Sequence, residues 1–268
     1  MKRFKGKVVV ITGAGSGIGR ALAVDFAQRG ALLALSDIKE EELYRVSQEL
    51  SRHTQVFSQV FDVGEESAMQ SFALAVHEHY QRIDVVVNNA GVAQVRAEFS
   101  EIKSKDFDWL MNINFGGVIY GSRYFLPYLR QQKESSLVNI SSIFGIIGVP
   151  SQTSYNASKF AVRGFSAALA LEEQGNKTGV VVSCVHPGGI KTNILRNARG
   201  VDLERAAAQE KFFRMLPSKA AEVIIKGIKK KKNRILVGKD AYLLHYVNKI
   251  LRKLVQKAIL YTYNKTNP

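Results

Sequence analysis

The stretch "VVVITGAGSGIGRALA", residues 8–23, decides the fold. It opens with an unbroken apolar run, as expected of a strand covered on both faces. Gly13, Gly17 and Gly19 follow with the spacing G-x-x-x-G-x-G, and helical periodicity begins there. A strand that passes through glycines into a helix lets backbone come close to an anion. The helix start adds free N–H groups and the positive end of its dipole. Such a turn is not specific by itself, so the rest of the chain must decide what it holds.

Outward from this stretch, apolar runs alternate with helical patterns. "KVVVITG", "ALLALSD", "TQVFSQVFD", "IDVVVNNAG", "SSLVNISS", "VVVSCVHPGG" and "RILVG" read as buried strands. Between them lie "GIGRALAVDFAQRG", "EEELYRVSQELS", "EESAMQSFALAVHEHY", "DFDWLMNINFGGVIYGSRYFLPYLR" and "SYNASKFAVRGFSAALALEE", all with helical spacing. This alternation predicts βαβ units and a parallel sheet with helices on both faces, in one domain spanning 1–268. Residues of about 190–217 lose the pattern and read as an excursion of the kind that covers sites in α/β proteins. No linker, repeat or low-complexity tract precedes residue 190.

The second strand ends in Asp37, 18 residues beyond Gly19. A carboxylate there can accept hydrogen bonds from an adenosine ribose diol and would repel a 2′-phosphate. No arginine directly follows it and Ser16 is neutral, so the residues favour NAD over NADP, with NADP still open. The other reading of Asp37 is a helix N-cap ahead of "KEEEL".

Composition bounds the class. The chain has 268 residues, 46% of them hydrophobic, enough for a sizeable core. The single cysteine, Cys184, sits in an apolar run and reads as a buried, inert thiol in a reducing cytoplasm. The N-terminus turns into the glycine loop too early for a secretory signal, and no apolar run reaches the roughly 20 residues of a membrane span. The net charge of +15 is uneven: residues 218–268 hold 13 Lys/Arg against Glu222 and Asp240, or +11, leaving +4 for the rest. A basic end suits nucleic acid, an anionic membrane surface or an acidic partner, and equally a solvated face without a partner. His77 and His79 are two apart on a helix and point to different sides, so no metal site is predicted. They read as solvated, and His186 reads as structural.

One further pair raises a chemical question. Tyr155 and Lys159 are four apart in a helical pattern and share a face. They are either an ordinary amphipathic surface or a tyrosine tuned by a lysine.

Five ordered motifs answer it: "TGAGSGIG" at 12–19, "NNAG" at 88–91, "NINFGG" at 112–117, "SS" at 141–142 with "YNASK" at 155–159, and "PGGIKT" at 187–192. With them the chain resembles the short-chain dehydrogenase/reductase family, in its single-domain branch, over residues of about 6–240. The resemblance implies a Rossmann-like, doubly wound, seven-stranded parallel sheet and hydride transfer with NAD or NADP. It assigns Tyr155 as general acid/base, Lys159 as its partner, Ser142 as the substrate-orienting hydroxyl and Asn114 as the fourth catalytic member. Gly13, Ser16, Gly17, Ile18 and Gly19 match the phosphate loop, and Asp62 with Val63 the adenine contact. Asn88 and Gly91 match coenzyme contacts after the fourth strand. Pro187, Gly188, Ile190 and Thr192 match the nicotinamide side.

The chemistry then follows. Hydride leaves an alcohol carbon only as its hydroxyl proton departs, and a free tyrosine, with a pKa of about 10, is a poor base at neutral pH. The Lys159 cation is expected to lower that value, with general acid/base transfer working best near the operating pH. The same lysine could hold the nicotinamide ribose. Ser142 would donate to the reacting oxygen. Asn114, by the resemblance, would hold a water that links Lys159 to solvent.

The segments expected to flank the pocket carry Val92, Val95, Phe99, Ile143, Phe144, Ile146 and Val149, with Arg96 the one obvious cation. An apolar alcohol, aldehyde or ketone is the expected substrate. The rival function is a non-catalytic dinucleotide-sensing or nucleic-acid-binding protein that uses the same fold and its basic tail. A sensor has no need of a tuned tyrosine, so the enzyme is favoured and nucleic acid is not the expected partner. Apolar surface on the helical segments 106–131 and 155–174 predicts a homodimer or homotetramer. Finally, "AYLLHYVNKILRKLVQKAILYTY" reads as one basic amphipathic helix in an extension of about 240–268. Packing on the protein is favoured. Peripheral contact with an anionic membrane is the other reading.

Overall fold

The computed structural model describes residues 3–201, 203, 204, 207 and 213–266. Part of the excursion expected at 190–217 therefore lies outside the described residues. Seven strands form one parallel sheet: β1 Val8–Thr12, β2 Leu32–Asp37, β3 Val56–Val60, β4 Val85–Asn88, β5 Ser135–Ile140, β6 Val180–Pro187 and β7 Arg234–Val237. Their order is β3-β2-β1-β4-β5-β6-β7. The helices are α1 Gly17–Gln28, α2 Glu40–Ser51, α3 Glu66–Tyr80, α4 Ser104–Met111, α5 Gly117–Arg130 and α6 Thr153–Gly175. They continue with α7 Pro217–Lys229, α8 Lys239–Ile250 and α9 Arg252–Thr266. A π-helical turn, Asn112–Gly116, joins α4 to α5. The parallel sheet expected from the alternating runs, and the Rossmann-like order that the resemblance implies, are what the chain adopts.

Side chains alternate across each strand, so each strand feeds two cores. In β1, Val9 and Ile11 pack with α1, α2 and α7 on one face, while Val8 and Val10 pack with α3 and α5 on the other. All four are fully buried, and burying an aliphatic side chain of this size stabilises by about 1.5–3 kcal/mol. That two-sided burial is why the strands read as continuous apolar runs rather than alternating ones.

A third, smaller core holds the C-terminal helices. Ile143, Ile146 and Ile147, from the segment after β5, pack with Leu236 of β7, Ala241 of α8 and Val255 of α9. The tail is not the single helix its periodicity suggests. It breaks at Leu251, whose backbone (φ −121°, ψ 48°) is not helical, and α9 starts afresh beyond it. Among the described residues no helix is long and apolar enough to cross a membrane.

Candidate active site

The strand order reverses between β1 and β4, and in open α/β sheets ligands bind in the crevice this reversal leaves at the strand ends. The crevice is stitched shut at its base. Thr12 Oγ1 accepts from the Asn89 and Ala90 amides, both at 3.1 Å, and Asn89 Nδ2 donates to the Thr12 and Gly13 carbonyls at 2.9 and 3.0 Å. Gly13 (φ +65°) leaves no room for a side chain, since a Cβ would come within 2.8 Å of Ala90 Cα. A Cβ on Gly19 would run into the Gly13 carbonyl. Ser16 stands at the start of α1 with no side-chain cap, and the first turn carries no acidic residue. Its first N–H groups have no partner within the helix, and the backbone around them is stripped of side chains. These residues fit a pyrophosphate.

Asp37, at the end of β2, accepts from Gly15 N at 2.8 Å and from Lys39 N at 3.0 Å. It therefore joins the glycine loop to the start of α2. The N-cap reading does not hold, because Lys39 occupies that position. The Lys39 ammonium pairs with Glu42 at 3.3 Å and not with the crevice. Asp62 closes a tight turn by accepting from Gly64 N at 2.8 Å, beside the buried Val63.

Asn88 is placed differently from its sequence reading. Its amide is buried on the α5 side of the sheet, donating to Asn139 at 2.8 Å and Ser122 at 3.3 Å. Its side chain faces the core; the crevice meets the end of β4 through Asn89 and Gly91 instead. A Cβ on Gly91 would lie 3.3 Å from Lys159 Nζ, which places that loop against the catalytic candidates. On the far wall, Thr192 approaches Gly17 and Gly188 N donates to Val237 O at 2.9 Å. Ile190 bridges to Met215. Pro187 and Ile190 are buried.

The catalytic candidates converge at the ends of β5 and α6. Ser142 leads into a 3₁₀ turn, and its Oγ accepts from Phe144 N at 3.1 Å. That leaves its proton free to donate, and the hydroxyl stands near enough to the Tyr155 phenol to favour the phenolate. The Phe144 ring stands edge-on to Tyr155 with centroids 6.1 Å apart. Lys159, one turn along α6 and buried, holds Nζ 5.6 Å from the Tyr155 ring centroid and donates to Ile140 O at 3.3 Å. Ser141 Oγ donates to Lys159 O at 2.8 Å, fastening α6 to β5.

Protonation differs from the sequence expectation. Burial pushes the Tyr155 phenol up to about 12, opposed by the Ser142 hydroxyl. Burial also draws Lys159 down to about 8. Desolvation disfavours both charged forms. The Asn114 amide is committed too: Oδ1 accepts from Val92 N at 2.8 Å, and Nδ2 donates to Val92 O and Ser158 Oγ at 3.0 and 3.2 Å. Its side chain shapes the loop after Gly91 from within the π turn.

Several positioning residues are absent from the sequence reading. Asn156 accepts from Val149 N at 3.1 Å and donates to Phe144 O at 2.6 Å and Ile147 O at 2.7 Å, holding the segment after Ser142. Its place inside "YNASK" was the available signal. Asp240 accepts from Gly189 N at 2.7 Å and sets the "PGG" turn. Arg199 pairs with Asp106 at 2.8 Å and lies 3.7 Å over the Trp109 ring, anchoring the start of the excursion. His186, buried as expected, contacts Ser142 O through Nδ1 at 3.0 Å, and burial draws it down to about 4. His77 is half-buried rather than fully solvated: it stacks on Tyr128 at 4.3 Å. Cys184 is a buried thiol pushed up to about 11. Among the described residues no cluster could hold a metal ion.

Against Phe144, whose ring meets Tyr155, opens an apolar pocket of about 480 Å³ lined by Val149 and Pro150 on one side and α8 and α9 on the other, with Arg96 also in its wall. An open hollow at Ser51, Thr54 and Val56 lies at the opposite end of β3 from the crevice.

This sheet order, glycine cradle and serine–tyrosine–lysine group define a nicotinamide-dependent oxidoreductase of the Rossmann type. Residues 7–201 match the short chain dehydrogenase family, and the chain belongs to it. It is 42% identical over 267 residues to SadH of Mycobacterium tuberculosis, covering 97% of this chain and 96% of that protein. It is 35% identical over 223 residues to levodione reductase of Leifsonia aquatica, covering 81% and 82%. Among solved structures, a short chain dehydrogenase/reductase from Burkholderia phymatum in complex with NAD superposes with a TM-score of 0.87 at 27% identity, over 95% of this chain and 96% of that one.

Proposed function

We propose that the protein transfers hydride between NAD and an apolar alcohol, aldehyde or ketone. The observation that carries this is the convergence of Ser142, Tyr155 and Lys159 at the ends of β5 and α6, with an apolar pocket reaching Phe144, whose ring packs on Tyr155. The coenzyme, when bound, supplies or accepts the hydride. The residues do the rest. Ser142 donates to the reacting oxygen and orients it, and Tyr155 gives or takes the proton on that oxygen. The high pKa of Tyr155 keeps its proton at neutral pH, the form that reduction requires. For oxidation, Lys159 must be charged, which its pKa of about 8 allows at neutral pH. A second positive charge in the same pocket would draw the tyrosine down. Asn114 acts by positioning Val92 and Ser158.

NAD is the preferred coenzyme on this reading. The Asp37 carboxylate stands beside Gly15, and the nearby Lys39 is already paired, so a 2′-phosphate would meet negative charge without relief. The relative from Burkholderia phymatum, in complex with NAD, is consistent with this choice. The protein works in the cytoplasm as a homodimer or homotetramer. Leu171, 71% exposed on α6, is the kind of residue such an interface would cover.

The test is a panel of alcohols and ketones of rising chain length, assayed with each coenzyme by nicotinamide absorbance. Expected are kcat/KM values that rise with apolar length and favour NAD. A flat panel, or a preference for small polar substrates or for NADP, contradicts the corresponding part of the reading.

A further inference from the structure

The two readings of the tail, packed on the protein or laid on a membrane, assume one apolar stripe. The structure shows two. Inward, Ala241 and Val255 are buried, with Leu244, Val247 and Ile259 packed against the same core. Outward, Tyr242, Tyr246 and Ile250 repeat every fourth residue along α8, and Leu254 and Tyr261 recur seven apart on α9. All five are exposed, Ile250 by 77% and Tyr261 by 72%. An amphipathic helix docked on a domain turns charge outward, not a second apolar row. Exposed apolar side chains concentrated on one element mark an interaction surface.

We propose that this outer stripe of α8 and α9 docks on an anionic membrane surface, with the apolar pocket opening beside it. Charge selects this occupant over a second copy of the chain. Lys239, Lys249, Arg252, Lys253 and Lys257 share the two helices with the single acid Asp240, which is engaged with Gly189. Two such faces would repel each other, whereas anionic lipid headgroups would attract them. The tyrosines suit the boundary, with an apolar ring and a polar tip. Leu243 and Leu254 both line the pocket and stand exposed at the surface, so a lipid-dissolved substrate would enter along them. That last point rests on the apolar-substrate reading above; the docking does not.

The full chain is sedimented with phosphatidylglycerol vesicles and with pure phosphatidylcholine vesicles, at low and at physiological salt. Expected is binding to the anionic vesicles that weakens with salt. The Arg252→Glu/Lys253→Glu double variant should lower the partition coefficient about tenfold or more, and Ile250→Glu several-fold, with melting temperatures unchanged. Absence of binding at low salt overturns the proposal, as does binding that neither variant reduces. A dimer that Ile250→Glu dissociates, without vesicle binding, assigns the face to a second copy and also overturns it. Turnover on a water-soluble ketone is measured on the same samples. If it is absent in the parent while vesicles bind, the functional reading fails and the docking stands.

Discussion

At the switch point between β1 and β4, Thr12, Gly13 and Asn89 are tied by three hydrogen bonds plus a fourth to Ala90, and the glycines next to them tolerate no side chain. Across the crevice, α8 and α9 are held mainly by an apolar face and present another to solvent. The contrast follows from what each side recognises. A pyrophosphate is bound by backbone N–H groups, which works only if the backbone is brought close and held still. An apolar substrate needs area and exclusion of water, which many side chains can supply. One wall is therefore rigid in sequence and structure, and the other is adaptable.

The largest effect should come from breaking the rigid wall. Gly19→Ala puts a methyl into the Gly13 carbonyl, with no flexible side chain to yield. Coenzyme affinity should fall at least about a hundredfold in a fluorescence titration, a loss of roughly 3 kcal/mol. Near-normal binding would mean the loop is looser than its packing implies.

Between the two walls, Lys159 should reveal a site that costs stability. Its pKa of about 8 lies below the unfolded value, so the folded state disfavours its charge. The unfolded chain binds the extra proton between about pH 8 and 10.5, so this penalty is complete below pH 8 and vanishes as pH rises through that window. Lys159→Met should abolish turnover yet stabilise by on the order of 1–3 kcal/mol at pH 7, the gain shrinking toward pH 10. Urea melts across that range check it, and equal destabilisation at all pH values would refute the account. His186 works at the acid end: with its pKa drawn down to about 4, stability should fall as pH drops from 6.5 toward 4.

A smaller effect is expected at Asp37. Replacing it with alanine, with arginine at Ile38, should shift kcat/KM toward NADP by about tenfold or more, through removal of like-charge repulsion. The smallest should be on the adaptable wall, where Ile250→Glu should alter stability by no more than about 0.5 kcal/mol because the side chain is already in water.

The same contrast governs what the sequence shows unaided. β1 through β7 are readable because two-sided burial leaves long apolar runs, and the glycine loop because backbone approach demands residues without side chains. Ser142, Tyr155 and Lys159 are readable through their motif spacing. The direction of the Asn88 side chain is not legible because a motif position does not say which way a side chain turns; β4 aims it at α5. Asn156 and Asp240 escape notice because their work is on carbonyls and amides of other segments, which no local pattern records. The tail misleads most. A period of 3.6 residues reports that an apolar stripe exists, but Tyr242, Tyr246 and Ile250 lie beside the inward stripe closely enough to read as one. The break at Leu251 leaves no glycine or proline as a sign.

Tyr155→Phe tests the central claim most directly, because it removes the transferable proton and leaves the ring against Phe144. Steady-state turnover and coenzyme binding are measured on the same preparation. The expected result is unchanged coenzyme affinity with kcat reduced at least about a thousandfold. A variant that keeps more than roughly a tenth of the parent kcat would contradict the assignment of Tyr155 as the acid and base of the reaction.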